Sequence, residues 1–275
     1  MSNYYCLVAG LPDVDFDGGK CNFSIEQFRE EIYPELSKED LHCIDTFFYA
    51  WDNENILRIL SEGNDIELSR KGCFSLEELV DIIGSVKEGD SRKNDIPSYL
   101  YDFLAFYFDN EAREDIIWSD VLSRYYFDYA TKNSNEFVAS WFEYNLNVNN
   151  ILVALLARKY KMNVAECVIG DNEVADSLRT SGARDFGLGS SLDYFDSVVR
   201  LSENDDFRER EHLLDELRWK WLEDNSVFNY FTVERLFVFL QKLDIIARWS
   251  LLDETTGMQK YNELIEGLKS GAVLA

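Results

Sequence analysis

The acids near the start of the chain have the spacing of the first half of a calcium-binding loop. Asp13, Asp15 and Asp17 alternate and precede Gly18, as in loops whose positions 1, 3 and 5 bind the ion and whose position 6 makes the turn. The second half does not match, because position 12 is Ser24, where a glutamate with two ligating oxygens is needed. The pattern favours an acidic surface loop over a calcium site.

The other candidates for chemistry are also incomplete. The glycine-rich segment Ser181–Ser191 lacks the lysine and the strand-then-helix setting of a phosphate-binding loop, which favours a flexible connector. The two histidines, His42 and His212, have no further ligand at zinc spacing. A Ser–His or Cys–His pair that meets only in space stays open. The sequence therefore shows no catalytic, cofactor or metal site, and predicts that the protein is not an enzyme.

The strongest pattern is a repeated asparagine motif. Asp52–Leu60 and Asn147–Leu155 lie about 95 positions apart and share the form [DN]-x-x-N-I-L, with basic residues following. A weaker third copy, Leu243–Trp249, lacks the asparagine. The spacing predicts three helical subdomains made by duplication, with approximate bounds 1–95, 96–190 and 191–275 in a single domain of 275 residues.

Asparagine is a poor residue for a helix interior, because its amide competes for the local backbone. Its recurrence in strong helical patterns therefore indicates a structural or partner-binding role. The candidate residues are Asn55, Arg58, Asn147, Asn150, Arg158 and Arg248. For the arginines two interpretations stay open: compensation of the helix dipole or an ion pair within the helix, and contacts that join subdomains or bind a partner.

A second motif, F-[ST]-apolar-E, marks three helix starts. Ser24, Ser75 and Thr232 are each expected to cap a helix, and the spacing of Ser24 to Gln27 and of Ser75 to Glu78 predicts capping boxes.

Apolar periodicity predicts an all-α fold. The expected helices are Ser24–Tyr33, Lys38–Glu62, Ser75–Glu88, Ser98–Phe108, one or two over Ser119–Lys161, then Leu192–Ser202, Asp206–Glu223, Thr232–Thr255 and Met258–Lys269. Tyr4–Leu11 could be a strand or a short helix. Gly89–Pro97 is the clearest linker, and Ile169–Ser191 is the least regular region. The stretch Phe137–Lys161 is apolar on both faces, as expected for a helix between two packed layers.

Composition limits the function. The net charge of −25 argues against binding to nucleic acid and to anionic lipid; it fits a solvated acidic surface or attraction of a basic partner. Five scattered cysteines without a C-x-x-C pattern favour a reducing compartment. The first residues lack the features of a signal peptide, and no stretch is apolar enough for direct membrane insertion.

The motifs together resemble a known family. Asn147–Lys159 looks like the asparagine-containing helices of the C subunit of V/A-type rotary ATPases, called d in eukaryotes, and Phe231–Trp249 is similar to that family's closing helix. The opening Tyr4–Pro12 also resembles a bacterial family of unassigned function found alongside such ATPases. The resemblance implies three related helical-bundle subdomains, in a pseudo-threefold arrangement around a funnel.

It also implies a function. A protein of this family would be a non-catalytic coupling subunit that seats the central-shaft subunits on the membrane rotor ring and transmits rotation for ion transport. It would be cytoplasmic, and membrane-associated only through the complex. The alternative from composition is an acidic, all-helical adaptor or regulatory protein that binds a basic partner.

Overall fold

The computed structural model describes residues 4–16, 21–90, 92 and 96–251, and the regular structure within these ranges is helical. The helices are α1 (Tyr5–Ala9), α2 (Ile25–Gln27), α3 (Lys38–Glu62), α4 (Leu76–Glu88), α5 (Ser98–Asn110), α6 (Trp118–Ala130), α7 (Glu136–Lys159), α8 (Val164–Cys167), α9 (Glu173–Thr180), α10 (Phe195–Glu203), α11 (Phe207–Asn225) and α12 (Val233–Leu251). After α2 the chain continues as a π-turn, Phe28–Ile32, and a 3₁₀ turn, Tyr33–Glu35. The prediction of an all-α fold is confirmed.

Side-chain caps fix two of the helix starts as predicted. The Ser24 hydroxyl accepts from the Gln27 amide at 3.2 Å, and the Gln27 side chain accepts from the Ser24 amide at 2.9 Å. Ser75 and Glu78 form the same reciprocal pair at 3.3 and 2.8 Å. The cap predicted at Thr232 is wrong: this residue directly precedes α12, but its buried hydroxyl has no hydrogen-bond partner within the described part of the chain.

Two regions are more ordered than the sequence indicated. Residues 4–11, which the sequence left open, contain the short helix α1. The region Ile169–Ser191, predicted to be the least regular, contains α9, because Asn172 caps its first turn. The glycine-rich segment within it buries Phe186 and Leu188, and its role as a flexible connector stays a prediction.

Some predicted features lie outside the described residues. The last predicted helix, Met258–Lys269, is one of them, and so are Asp17 and Gly18 of the acidic loop and part of the linker Gly89–Pro97.

The chain forms two compact units: Met1–Ser37 together with Trp219–Ala275, and Lys38–Arg218. The three repeats stay a prediction. In the first unit α2 packs on α12, with the rings of Phe28 and Phe239 stacked 6.5 Å apart. A further apolar cluster there is formed by Trp219, Ile245 and Ile246, with Val14, Phe16 and Trp249 against it.

The second unit is built around α7, which packs on α6, α8, α9 and α10. Helices α3 and α5 pack on α6, and α4 packs on both α3 and α5. The buried side chains of α7 are Val138, Trp141, Phe142, Tyr144, Asn145, Leu146, Asn147, Val148, Asn150, Ile151, Ala154 and Ala157. From Tyr144 to Val148 five consecutive residues are buried, so this part of the helix is enclosed on all sides.

The last turns of α7 differ from the prediction. Both faces were expected to be buried, but Val153 is 37% exposed and Leu152, Leu155 and Leu156 are half-buried. The expectation is therefore correct for the centre of the helix and wrong for its C-terminal third, where one apolar face is uncovered.

Candidate functional site

In the first copy of the motif, an asparagine holds the loop that leads from α3 to α4. Asn55 is fully buried. Its Oδ1 accepts from the Ser69 amide at 3.0 Å, and its Nδ2 donates to the Arg70 carbonyl at 2.8 Å. The buried side-chain amide thus finds its hydrogen-bond partners in the loop backbone, which accounts for an asparagine at a helix-interior position.

In the second copy, Asn150 does the same for the loop between α8 and α9, the second loop after α7, which we call the loop after α7. Its Oδ1 accepts from the Ile169 amide at 3.0 Å, and its Nδ2 donates to the Ile169 carbonyl at 2.7 Å. Asn150 is 2% exposed. In each copy one buried amide clamps the loop that follows the long helix, and we call the two arrangements the α3 clamp (Asn55) and the α7 clamp (Asn150).

The residue three positions before each clamp asparagine holds the start of the next helix. The buried carboxylate of Asp52 accepts from the amides of Cys73 and Phe74, at 2.8 and 3.3 Å, just before α4. Asn147 accepts from the side chain of Asn172, the cap of α9, at 2.8 Å. The [DN]-x-x-N spacing places both side chains on one side of the helix, one turn apart.

The two arginines do not occupy equivalent positions, although both bind loop carbonyls. Arg58, one turn after Asn55, donates to the Glu67 carbonyl at 2.8 Å and pairs with Glu62 at 3.2 Å. This bond to Glu62 raises the pKa of Arg58. The intrahelical ion pair and the loop contact are thus both present.

Arg158 lies two turns after the α7 clamp and fixes the glycine-rich segment. It donates to the carbonyls of Ser181, Ala183 and Arg184 at 2.8, 2.6 and 3.2 Å. Its guanidinium carbon lies 3.4 Å from the centroid of the Phe186 ring, a cation–π contact. Burial lowers the pKa of Arg158.

The third copy is only partly described. Arg248 is half-buried near the end of α12, in the other compact unit. The chain after Leu251, where a corresponding loop would follow, lies outside the described residues. The structure thus brings Asn147, Asn150 and Arg158 together around one set of loops, and places Asn55 and Arg58 around another.

The side chains of this arrangement bind other parts of the same unit. Asn55, Asn147 and Asn150 are buried and bind the chain's own loops and caps. Across the described ranges no three His, Cys, Asp or Glu side chains are placed to hold a metal ion. In the same ranges no helix is both long and apolar enough to cross a bilayer.

Comparison with known proteins gives a family. The profile of the family described as "Protein of unknown function (DUF2764)" matches residues 1–272. The chain belongs to the DUF2764 family. No curated protein and no solved structure matches it.

Several residues of this DUF2764 chain that hold the same loops were not predicted. Arg179 of α9 donates to the carbonyls of Val168 and Gly170, so the loop after α7 is held from two sides. The buried Asp215 pairs with Arg218 at 3.2 Å, and Arg218 donates to Asn145 at 3.0 Å, which ties α11 to α7. Except for the i,i+3 pair of Asp215 and Arg218, these partners are 9 to 73 positions apart, so no local pattern could reveal them, although the helix-interior Asn145 was a signal.

Proposed function

We propose that the protein is a non-catalytic coupling subunit of a V/A-type rotary ATPase, placed between the central shaft and the membrane rotor ring. The observation that carries the proposal is the matching geometry of the α3 and α7 clamps. The motif behind the resemblance to the C (d) subunit is used twice, each time by a buried asparagine that holds the loop after a long helix.

This geometry suits a part that transmits force. A subunit that passes rotation from a shaft to a ring must deform little under load, and its loops must keep their helices in register. A buried amide paired with two backbone groups opposes loop opening, because opening would leave the buried amide without its partners. Three related subdomains around a funnel belong to the same proposal, with the third at α12.

The proposed partners are the shaft subunits and the rotor ring. The protein would reside in the cytoplasm and reach the membrane through these partners, with no catalytic residue or cofactor of its own. The high negative charge suits contacts with protein better than contacts with nucleic acid or anionic lipid.

Purification of the tagged chain from its own cells in mild detergent tests the proposal. We expect shaft and ring subunits to co-purify, and a tagged unrelated protein of similar net charge to recover neither. Deletion of the gene should leave ATP hydrolysis by the complex but reduce ATP-driven ion transport into membrane vesicles. Absence of ATPase subunits from the purification, with unchanged ion transport after deletion, would refute the proposal.

The net charge of −25 favours a second candidate, an acidic adaptor that binds a basic partner. The same purification separates the two. An adaptor would recover a basic protein that is released by moderate salt, because screening weakens exposed charge pairs, and it would recover no ATPase subunits.

A further inference from the structure

The C-terminal third of α7 has an apolar face that the rest of the described fold leaves uncovered. Val153, Leu156 and Tyr160 follow one another at i, i+3 and i+7 and so lie along one face. Val153 is 37%, Tyr160 66% and the nearby Met162 58% exposed. Contiguous exposed apolar surface of this kind marks interaction sites in soluble proteins.

A groove of about 660 Å³ adjoins this face, between α7 and α10. Its apolar lining consists of Leu155 and Leu156 from α7 and of Phe195 and Val199 from α10. The whole groove lies in the unit Lys38–Arg218.

Both walls of the groove are anchored. Helix α10 is fixed on α7 by Phe195, Val198 and Leu201, all of which are at most 3% exposed. The end wall near Arg184 is held by the bonds of Arg158 to the glycine-rich segment. The groove is therefore part of the fold, since closing it would require these contacts to break.

The acidic residues on the α10 side of the rim, opposite Lys159 of α7, favour one kind of occupant. Asp196 and Glu203 lie on α10 seven residues apart, which is two turns or about 10.5 Å along one helix face. Asp205 extends this acidic side and pairs with Lys159 at 3.4 Å. A second helix lying in the groove would match the acidic side with Lys or Arg residues two turns apart.

We propose that this groove binds an amphipathic helix of a partner protein, with its apolar stripe on Leu155, Leu156 and Val199 and a basic flank along Asp196 and Glu203. Addition of a partner strand is the less suitable mode, because the described fold is helical and offers no sheet edge. The inference goes beyond the proposed function and does not depend on it: any partner that presents such a helix would fit.

A designed peptide provides the probe. It is a fluorescent helix of about five turns with leucines at i, i+3, i+4 and i+7 and lysines on one flank. Its controls are an isomer of the same composition with the leucines spread around the helix, and a version with Glu in place of Lys. We expect the full chain to bind the probe at least roughly tenfold more tightly than either control. Equal binding of the probe and the isomer would overturn the proposal.

Paired charge reversals test the place of binding. D196K with E203K removes the acidic rim, and we expect roughly tenfold weaker binding, since two rim ion pairs are lost. The matched control is E209K with E216K on α11: both residues are exposed, lie seven positions apart and give the same change in net charge. If both double variants weaken binding equally, attraction by the net charge explains it and the groove is not the site.

The apolar side is tested at Tyr160 and Val199. Y160D changes an exposed side chain, so the fold should survive, while V199D changes the lining of the groove. We expect both to weaken binding, with melting curves that verify folding, and a photoreactive leucine in the probe should crosslink to α7 and α10. Crosslinks confined to other helices would refute the proposal. A wild-type dimer that V199D converts to a monomer would also refute it, because a second copy would then occupy the groove.

The two proposals fail separately. Binding of the probe to the groove, without ATPase subunits in the purification and with unchanged ion transport after deletion, would retain this inference and remove the rotary-ATPase function.

Discussion

The side chain of Asn150 pairs with both backbone groups of Ile169, donating to its carbonyl at 2.7 Å and accepting from its amide at 3.0 Å. The side-chain amide therefore does what a neighbouring backbone would do in a ladder of hydrogen bonds. The loop after α7 is tied to the centre of the most enclosed helix of its unit.

Replacement of Asn150 should open this loop. We expect N150A to lower the free energy of unfolding of the unit by about 1–3 kcal/mol, because the amide and the carbonyl of the half-buried Ile169 lose their partner. Hydrogen exchange at the Ile169 amide should become faster. N149A is the matched control: Asn149 is the half-buried neighbour in the same helix, and alanine there should be neutral or slightly stabilising. If N150A and N149A change the unfolding free energy and the exchange rate equally, Asn150 does not hold the loop.

The α3 clamp should behave in the same way and independently. We expect N55A to destabilise by a similar amount and to accelerate exchange at the Ser69 amide but not at Ile169, because the two asparagines bind different loops. The effects of N55A and N150A should then add within about 0.5 kcal/mol. Clear non-additivity in denaturant titrations, or transfer of the exchange effect from one loop to the other, would show that the clamps act as one network.

Local sequence signals predicted the elements well and their long-range partners poorly. The bounds of α3 and the two serine capping boxes agree with the structure, because periodicity and caps act within a few residues. The asparagines were recognised as anomalous, but their targets were not, because Asn150 and Ile169 meet only after the chain has turned.

Two features of the packing were missed for related reasons. The composition of the glycine-rich segment contains no sign of Arg158, which binds it from more than 20 residues away. Val153 was expected to be buried because it is apolar, but burial depends on whether another element covers that face. Apolar periodicity cannot distinguish a face that meets the core from one that meets a partner.

Gly72 should tolerate no side chain. A Cβ atom there would lie 1.8 Å from Oδ1 of the buried Asp52, so alanine must displace the carboxylate that holds the start of α4. We expect G72A to destabilise by about 2 kcal/mol or more. Gly84, inside α4, has nothing within 4 Å of such an atom, and G84A should stabilise by about 0.5–1 kcal/mol. A neutral G72A in urea titrations would contradict the close contact with Asp52.

Stability should fall in alkaline solution. Burial raises the pKa of Tyr129 to about 12, with Asp45 and Cys73 adding to it, and burial also raises the pKa of Tyr194 to about 12. Between pH of about 10 and 12 the unfolded chain loses these protons while the folded chain keeps them, so unfolding becomes easier as pH rises. The check is the free energy of unfolding across this range together with tyrosinate absorbance. Stability that rises in this window would contradict the direction of both shifts.

The stabilising effect of Arg158 should depend on the shape of its guanidinium group and not only on its charge. Lysine cannot reach three carbonyls and cover the Phe186 ring at once, so R158K removes hydrogen bonds that hold the segment and a cation–π contact. We expect a loss of about 1–2 kcal/mol in unfolding free energy and faster limited proteolysis between Ser181 and Gly189. R200K, at an exposed arginine of α10, is the control and should change neither.

R158K also tests whether the glycine-rich segment contributes to peptide binding in the groove beside it. Arg184 is part of the lining of the groove, and its carbonyl is bound by Arg158. R158K should therefore weaken binding of the amphipathic probe peptide while R200K leaves it unchanged, although neither side chain lines the groove. If R158K exposes the segment to protease and binding of the peptide is unaffected, the end wall contributes nothing to recognition, and the contacts with α7 and α10 alone hold the helix.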